Sequence, residues 1–311
     1  MPIEAPTTSV AHLLALKAVP PFSTLPPDDL ALLVARARPR ALLANEVLVA
    51  EGKPLESVYL VLDGRFEEYR DGRPWAERAP YELIGGVDAL ARSGERVVVR
   101  ATTPAEVLEL GRDDLLDVCL DRFAVLETVA GGVATTAIGA RRRLGSSAGF
   151  EPVLSDEASR RAEPTPDSAE LVARLRAIPV FASVPVHTLA YCAADATLLT
   201  LEPGRALWRA GDPSDHVVLV LDGAVDCATQ DGAQRFVLGP GEMAGALDAM
   251  AGVPRWHDAS ARTSVTGIRI ARSAVLDVLE DDPETAVQAL VGLACVTAVL
   301  MDRLAGNPVP S

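Results

Sequence analysis

The chain repeats itself, and any fold proposed for it must accommodate that repeat. Residues 83–101 read LIGGVDALARSGERVVVRA, and residues 243–261 read MAGALDAMAGVPRWHDASA. Each stretch has a small-residue turn, a short apolar helix-like run, a Gly-containing bend, an arginine after that bend (Arg96; Arg255) and a following extended segment. The duplication reaches well beyond these stretches. VPPFSTLPPDDLALLVARARPR (residues 19–40) returns as IPVFASVPVHTLAYCAADA (residues 178–196), and Phe22/Phe181, Gly52/Gly211, Gly64/Gly223 and Arg96/Arg255 are all separated by the same interval. Asp88/Asp248 and Asp117/Asp277 are separated by one position more, so a single residue is expected to enter and leave near the second stretch. A long-period repeat of this kind means two copies of one domain, each of about 130 residues.

Within each copy the pattern is short strands and glycine turns. EVLVA (residues 46–50), VYLVL (58–62) and the run at 65–70 are separated by turns at Gly52, Asp63–Gly64 and Asp71–Gly72, and VVLVL (217–221), Asp222–Gly223 and Asp231–Gly232 repeat the scheme. Asp-Gly pairs suit type I′ hairpin turns because glycine takes positive φ without a Cβ clash. Many short, evenly spaced strands imply an antiparallel barrel or jelly roll. After each set comes a helical stretch, residues 112–144 and 272–304, with apolar residues at three- and four-residue spacing and Gly145 or Gly306 as a stop. The sequence therefore divides into an arm at 1–12, a first domain at 13–144, a linker rich in Ser, Pro and charge at 145–170, a second domain at 171–305 and a tail at 306–311.

The acidic balance, a net charge of −14, opposes both nucleic acid and an anionic membrane surface. Cys119, Cys192, Cys227 and Cys295 are dispersed with no CxxC pair, which fits a reducing cytoplasm. The N-terminus shows no basic and apolar secretory pattern. Residues 286–301 form the longest weakly charged run, shorter than the ~18–20 residues a spanning helix needs, and read as a buried or dimerising helix. No GxSxG, P-loop or paired catalytic carboxylates stand in a supporting context, and the four histidines share no metal spacing, so neither an enzyme nor a metal protein is expected.

The repeated stretch, with its flanking strands and terminal helices, resembles the phosphate-binding cassette of cyclic-nucleotide-binding domains, the family of the catabolite activator protein and the protein kinase A regulatory subunits. The resemblance implies a mainly β fold of two jelly-roll-like β-rolls, each flanked by helices that move relative to the roll on ligand binding. The activator-family transcription factors carry a helix-turn-helix after this point. The chain stops at Ser311, so the expectation is a tandem protein without that output domain, closest in layout to the kinase regulatory subunits.

A cyclic nucleotide offers a phosphodiester anion, which a guanidinium meets with parallel donors while helix-start amides add more. The resemblance places the pocket at Gly85, Gly86, Val87, Arg96 and Val97 in the first copy and at Gly245, Ala246, Leu247, Arg255 and Trp256 in the second. In the family a Glu follows the cassette glycine and accepts the ribose 2′-hydroxyl, and a small residue follows the arginine. Here Gly86 and Ala246 replace the Glu, and Val97 and Trp256 replace the small residue. Losing a charged hydrogen bond costs about 1.5–3 kcal/mol, or about 10- to 150-fold in affinity. Trp256 either fills its pocket or stacks on a base, so the first copy, with the smaller Val97, is the better ligand candidate.

The arginines also have plainer readings, as partners of Glu95 or Asp258. Arg141, Arg142 and Arg143 with Ser146 and Ser147 resemble a basophilic kinase site or pseudosubstrate, and equally are cations opposing a helix dipole. The expectation is a cytoplasmic, non-enzymatic regulatory or scaffold protein with degenerate cassettes, acting through a protein partner and self-associating through its terminal helices. It requires no cofactor. The alternative is a true sensor that binds cyclic AMP or cyclic GMP and reorients its domains against a partner.

Overall fold

The computed structural model describes residues 5–20, 22–144, 168–176, 186–194 and 196–306. The linker expected at 145–170 and the tail at 306–311 lie almost wholly outside those residues. The arm expected at 1–12 is helical from Ala5 onward.

The first roll is preceded by α1 (Ala5–Lys17) and α2 (Pro27–Arg36). Its strands are β1 (Arg38–Leu42), β2 (Val47–Val49), β3 (Ser57–Asp63), β4 (Phe66–Arg70), β5 (Arg73–Arg78), β6 (Leu83–Ile84), β7 (Val97–Ala101) and β8 (Ala105–Gly111), with α3 (Gly86–Ala91) between β6 and β7. They form two antiparallel four-stranded sheets, β1-β8-β3-β6 and β2-β7-β4-β5. Inward residues of both sheets meet in one core that includes Val49, Leu55, Val61, Phe66, Ile84, Val99 and Val107. Helices α4 (Arg112–Asp121) and α5 (Phe123–Leu144) follow.

The second roll repeats the plan after α6 (Ser168–Arg176) and α7 (Val186–Ala194). Strands β9 (Thr197–Leu201), β10 (Ala206–Trp208), β11 (His216–Asp222), β12 (Val225–Ala228), β13 (Arg235–Leu238), β14 (Met243–Ala244), β15 (Asp258–Ala261) and β16 (Val265–Ala271) surround α8 (Ala246–Ala251), and α9 (Arg272–Asp281) and α10 (Pro283–Gly306) close it. The sheet orders, β14-β11-β16-β9 and β10-β15-β12-β13, match those of the first roll strand for strand. The duplicated β-roll architecture expected from the sequence is the observed one.

The register of the duplication needs one correction. The β4–β5 hairpin turns at Asp71 and Gly72, both at positive φ as a type I′ turn requires. The β12–β13 connection is longer by a single residue. Phe66 pairs with Arg78, and Val225, the repeat of Phe66, pairs with Leu238, which lies one position beyond where the interval from Phe66 to Val225 would put the repeat of Arg78. The extra residue is never removed. Tyr69 faces Val98 while Ala228 faces Asp258, so the longer interval holds for everything beyond the hairpin, the cassettes included. Arg255 is therefore the counterpart of Glu95, and Arg96 that of Trp256.

Contacts divide the chain differently from the linear boundaries at 144 and 171. One compact unit gathers the described residues up to Thr136 with those from Val287 on; the other runs from Ala137 to Ala286. The division falls within α5 and at the start of α10. At their last turns, side chains of a hairpin hold each helix end. In the first unit Arg73 Nη1 donates to the Ala305 carbonyl at 2.9 Å, and in the second Gln234 Nε2 donates to the Arg142 carbonyl at 2.6 Å. Both helices are long and apolar enough to cross a membrane by length and composition, with 44% of each apolar window buried in the protein. On α10 the buried face includes Leu290, Ala294, Ala298 and Leu304, while Val296 and Val299 remain exposed.

Candidate functional site

Both cassettes are built on one backbone device. A glycine in the left-handed region, Gly85 (φ 76°) or Gly245 (φ 77°), ends a two-residue strand and starts the short helix α3 or α8. The carbonyls of Gly85 and Gly245 accept from the amides of Ala89 and Ala249. Gly245 has a second reason to be glycine: a Cβ there would lie 2.1 Å from Arg255 Nη1.

In the second unit Arg255 is enclosed, its side chain fully buried against Asp248, which is equally inaccessible. Nη1 donates to the Gly245 carbonyl at 3.1 Å, Nη2 donates to the His216 carbonyl, and the guanidinium lies 4.2 Å above the Trp208 ring. The Asp248 carboxylate is 3.6 Å away, an ion pair without a hydrogen bond. Burial pushes the Asp248 pKa up to about 6 against the pull of Arg255, and burial likewise lowers that of Arg255. Arg255 Nε is buried and has no hydrogen-bond partner among the described residues.

Trp256 does not stand in open space. It is 5% exposed and stacks on Phe236 at 5.6 Å, and Arg141 and Arg142 from the last turns of α5 lie over the Phe236 and Trp256 rings at 4.6 and 5.9 Å. His257 sits among Trp208, Phe236 and Trp256, and neither ring nitrogen has a hydrogen-bond partner among the described residues. Burial, then Arg255 and Arg141, drives its pKa down to about 3, so it is neutral throughout the physiological range. Beside this cluster opens a cleft of about 500 Å³ lined by Gly211, Thr229, Asp231, Gln234, Arg255, Trp256 and Arg142, among others. That is within the size range of small-molecule sites. Ala246 and Leu247 are half-buried on α8 and do not line it.

The first unit places its arginines differently. Arg96, one residue out of register, is 67% exposed and donates Nη1 to Asp71 Oδ1 at 3.0 Å, a bond that raises its pKa. Val97 is buried at the start of β7, Val87 is buried on α3, and Gly86 opens that helix. The buried cation is instead Arg70, at the end of β4 and paired directly opposite Val97. Its Nη2 donates to Asp88 on α3 and its Nη1 to Asp302 on α10 at 2.6 Å. Burial opposes the Arg70 charge, but Asp88 and then Asp302 outweigh it and hold the pKa above the ordinary arginine value. The repeat of Arg70 is Thr229, so the duplication offered no arginine there to notice.

A profile of the cyclic nucleotide-binding domain matches twice, over residues 39–122 and 198–282, more than half of the chain. No curated protein matches. Among solved structures, the regulatory domain of Toxoplasma gondii protein kinase A with cyclic AMP is 16% identical, with 92% of this chain and 95% of that one covered at a TM-score of 0.35. The regulatory subunit of a cyclic-AMP-independent protein kinase A from Trypanosoma brucei is 18% identical, with 88% of both chains covered and a TM-score of 0.34. The sensor domain of the transcriptional regulator DNR from Pseudomonas aeruginosa is 22% identical over 40% of this chain and 87% of that one, at 0.37. At those TM-scores the assignment rests on the sequence profile and on the strand-for-strand repeat. The chain belongs to the cyclic nucleotide-binding domain family, two members of which it carries in tandem.

Proposed function

We propose that this chain is a non-enzymatic, cytoplasmic regulatory protein whose second repeat binds a cyclic nucleotide and conveys its occupancy to a protein partner. The observation that carries this reading is the cleft of about 500 Å³ lined by Arg255 and Trp256. Arg255 supplies a buried positive charge at the cleft that favours a phosphodiester, and the rim adds Thr229, Gln234 and Arg142, beside Asp231, for polar contacts. Trp256, held by Phe236, offers an edge against which a purine can pack.

Calorimetric titration with cyclic AMP and cyclic GMP tests it. Saturable binding to the full chain that includes a site lost in Arg255→Gln is the expected result. A second reading, a scaffold that keeps the fold for association alone, is favoured by the protein acceptors that already engage both Nη atoms of Arg255. Absence of heat and of thermal shift up to millimolar nucleotide would select it.

A further inference from the structure

The two carboxylates on Arg70 are unlike each other. Asp88 is 3% exposed and also accepts from Ser93 Oγ at 3.1 Å, so it belongs to the cassette itself. Asp302 is 44% exposed, comes from the end of α10 and holds a single Nη1 bond. The Arg70 side chain is 1% exposed with its guanidinium 5.3 Å from the Trp75 ring centre, yet its buried Nε has no acceptor among the described residues. A buried donor left unmet is costly, and one carboxylate oxygen on Nη1 does not relieve it. The neighbouring charges are Arg73, held on the carbonyls of Ala305 and Gly306, and the exposed pair Arg96 and Asp71.

We propose that Arg70, and not Arg96, is the anion-binding residue of the first repeat, with the Asp302 carboxylate as its built-in occupant, displaced when a phosphodiester monoanion binds. A phosphodiester brings two free oxygens in a fixed span, which Nε and Nη1 can meet side by side in the fork geometry that arginine favours. It also carries the same single charge as the carboxylate it replaces, so the exchange leaves the balance with Asp88 unchanged. A phosphomonoester dianion would add a second negative charge beside Asp88 and is disfavoured. Displacement removes the Arg70 contact and loosens the last turn of α10, which Arg73 and the buried Leu304 still hold. The nucleotide class rests on the family reading above; the residues and the exchange do not depend on the second repeat.

The test uses the full chain with cyclic AMP as probe, in wild type, Asp302→Asn, Asp302→Asn with Arg70→Lys, and Asp302→Asn with Arg255→Gln. Asp302 is half-exposed, so its substitution leaves the fold intact, and Arg70→Lys keeps the buried charge while removing the fork; melting curves check both. If Asp302 occupies the site about nine-tenths of the time, its removal tightens binding there about tenfold. The expected result is a cyclic AMP site that tightens in Asp302→Asn, persists with Arg255→Gln and is lost with Arg70→Lys. In wild type, cyclic AMP should speed amide hydrogen exchange in residues 298–306. An Asp302→Asn protein with no Arg70-dependent site, or with nucleotide bound and exchange there unchanged, overturns the proposal. A site lost only with Arg255→Gln would retain the second-repeat reading and reject this one.

Discussion

Glu95 and Arg255 occupy the same place in their respective rolls. The Glu95 carbonyl accepts from the Gly52 amide at 2.7 Å, and the Arg255 carbonyl accepts from the Gly211 amide, the repeat of Gly52, at 2.8 Å. The two arginines that look equivalent in the sequence therefore have different environments and different energetic weight.

Arg255→Ala should cost about 3–5 kcal/mol, because it strands the buried Asp248 carboxylate. Arg96→Ala, at a surface pair, should leave the denaturation midpoint essentially unchanged. Urea denaturation followed by tryptophan emission measures both, since Trp208 and Trp256 report on the second unit and Trp75 on the first.

Gly245→Ala combines a left-handed backbone with a Cβ 2.1 Å from Arg255 Nη1, whereas Gly232 has similar φ (67°) and nothing within 4 Å of its missing Cβ. Gly232→Ala should lose about 1–2 kcal/mol for the left-handed conformation alone. Gly245→Ala should lose clearly more, and the difference between the two denaturation midpoints isolates the contact with Arg255.

His257 makes the second unit acid-sensitive. Its folded pKa of about 3 lies below the ordinary 6.5, so between those values the unfolded chain binds the extra proton and stability falls as pH falls. At pH 4.5 this group alone contributes a loss of about 2.5 kcal/mol relative to neutral pH. Asp248 acts oppositely: its folded pKa of about 6 exceeds the ordinary 3.8, so the folded state holds the proton and acidification through that window stabilises. His257→Leu should remove the acid loss and keep the Asp248 gain, which denaturation at pH 7 and pH 4.5 would show as a reversed slope relative to wild type.

Thiol alkylation should be ordered by burial. Cys119, whose pKa is pushed up to about 12 by burial, and Cys227, raised further by the same cause, should resist iodoacetamide in the native protein, while exposed Cys295 reacts. Mass spectrometry of timed digests reads the order directly. Prior modification of Cys119 or Cys227 would show that the rolls open locally.

Much of the fold was legible because its signals are local. Asp71–Gly72 announces its hairpin by the conformations it permits, and the strand runs at 58–62 and 217–221 carry the same apolar pattern twice. The site was less legible because its partners are distant in sequence. In FEEYR the inward residues are Phe66, Glu68 and Arg70, an alternation that the outward Tyr69 conceals. Glu68 is held by Arg78 and Arg70 by Asp302 from the far end of the chain, and no short-range pattern reports either. The register failed for a related reason. The extra residue sits in a hairpin loop between well-matched landmarks, and Arg96 and Arg255 happened to restore the earlier interval by sitting one position apart.

Membership of the last turns of α10 in the first unit also bears on how the protein can be dissected. A fragment cut at the linker would carry every strand of the first roll yet lack Asp302 and the carbonyls that Arg73 holds. Arg70 would then face solvent from a half-covered site, and nucleotide titrations on such a fragment would describe a surface absent from the intact chain. Single-repeat pieces are better examined as a complementing pair, mixed in equal amounts, than one at a time.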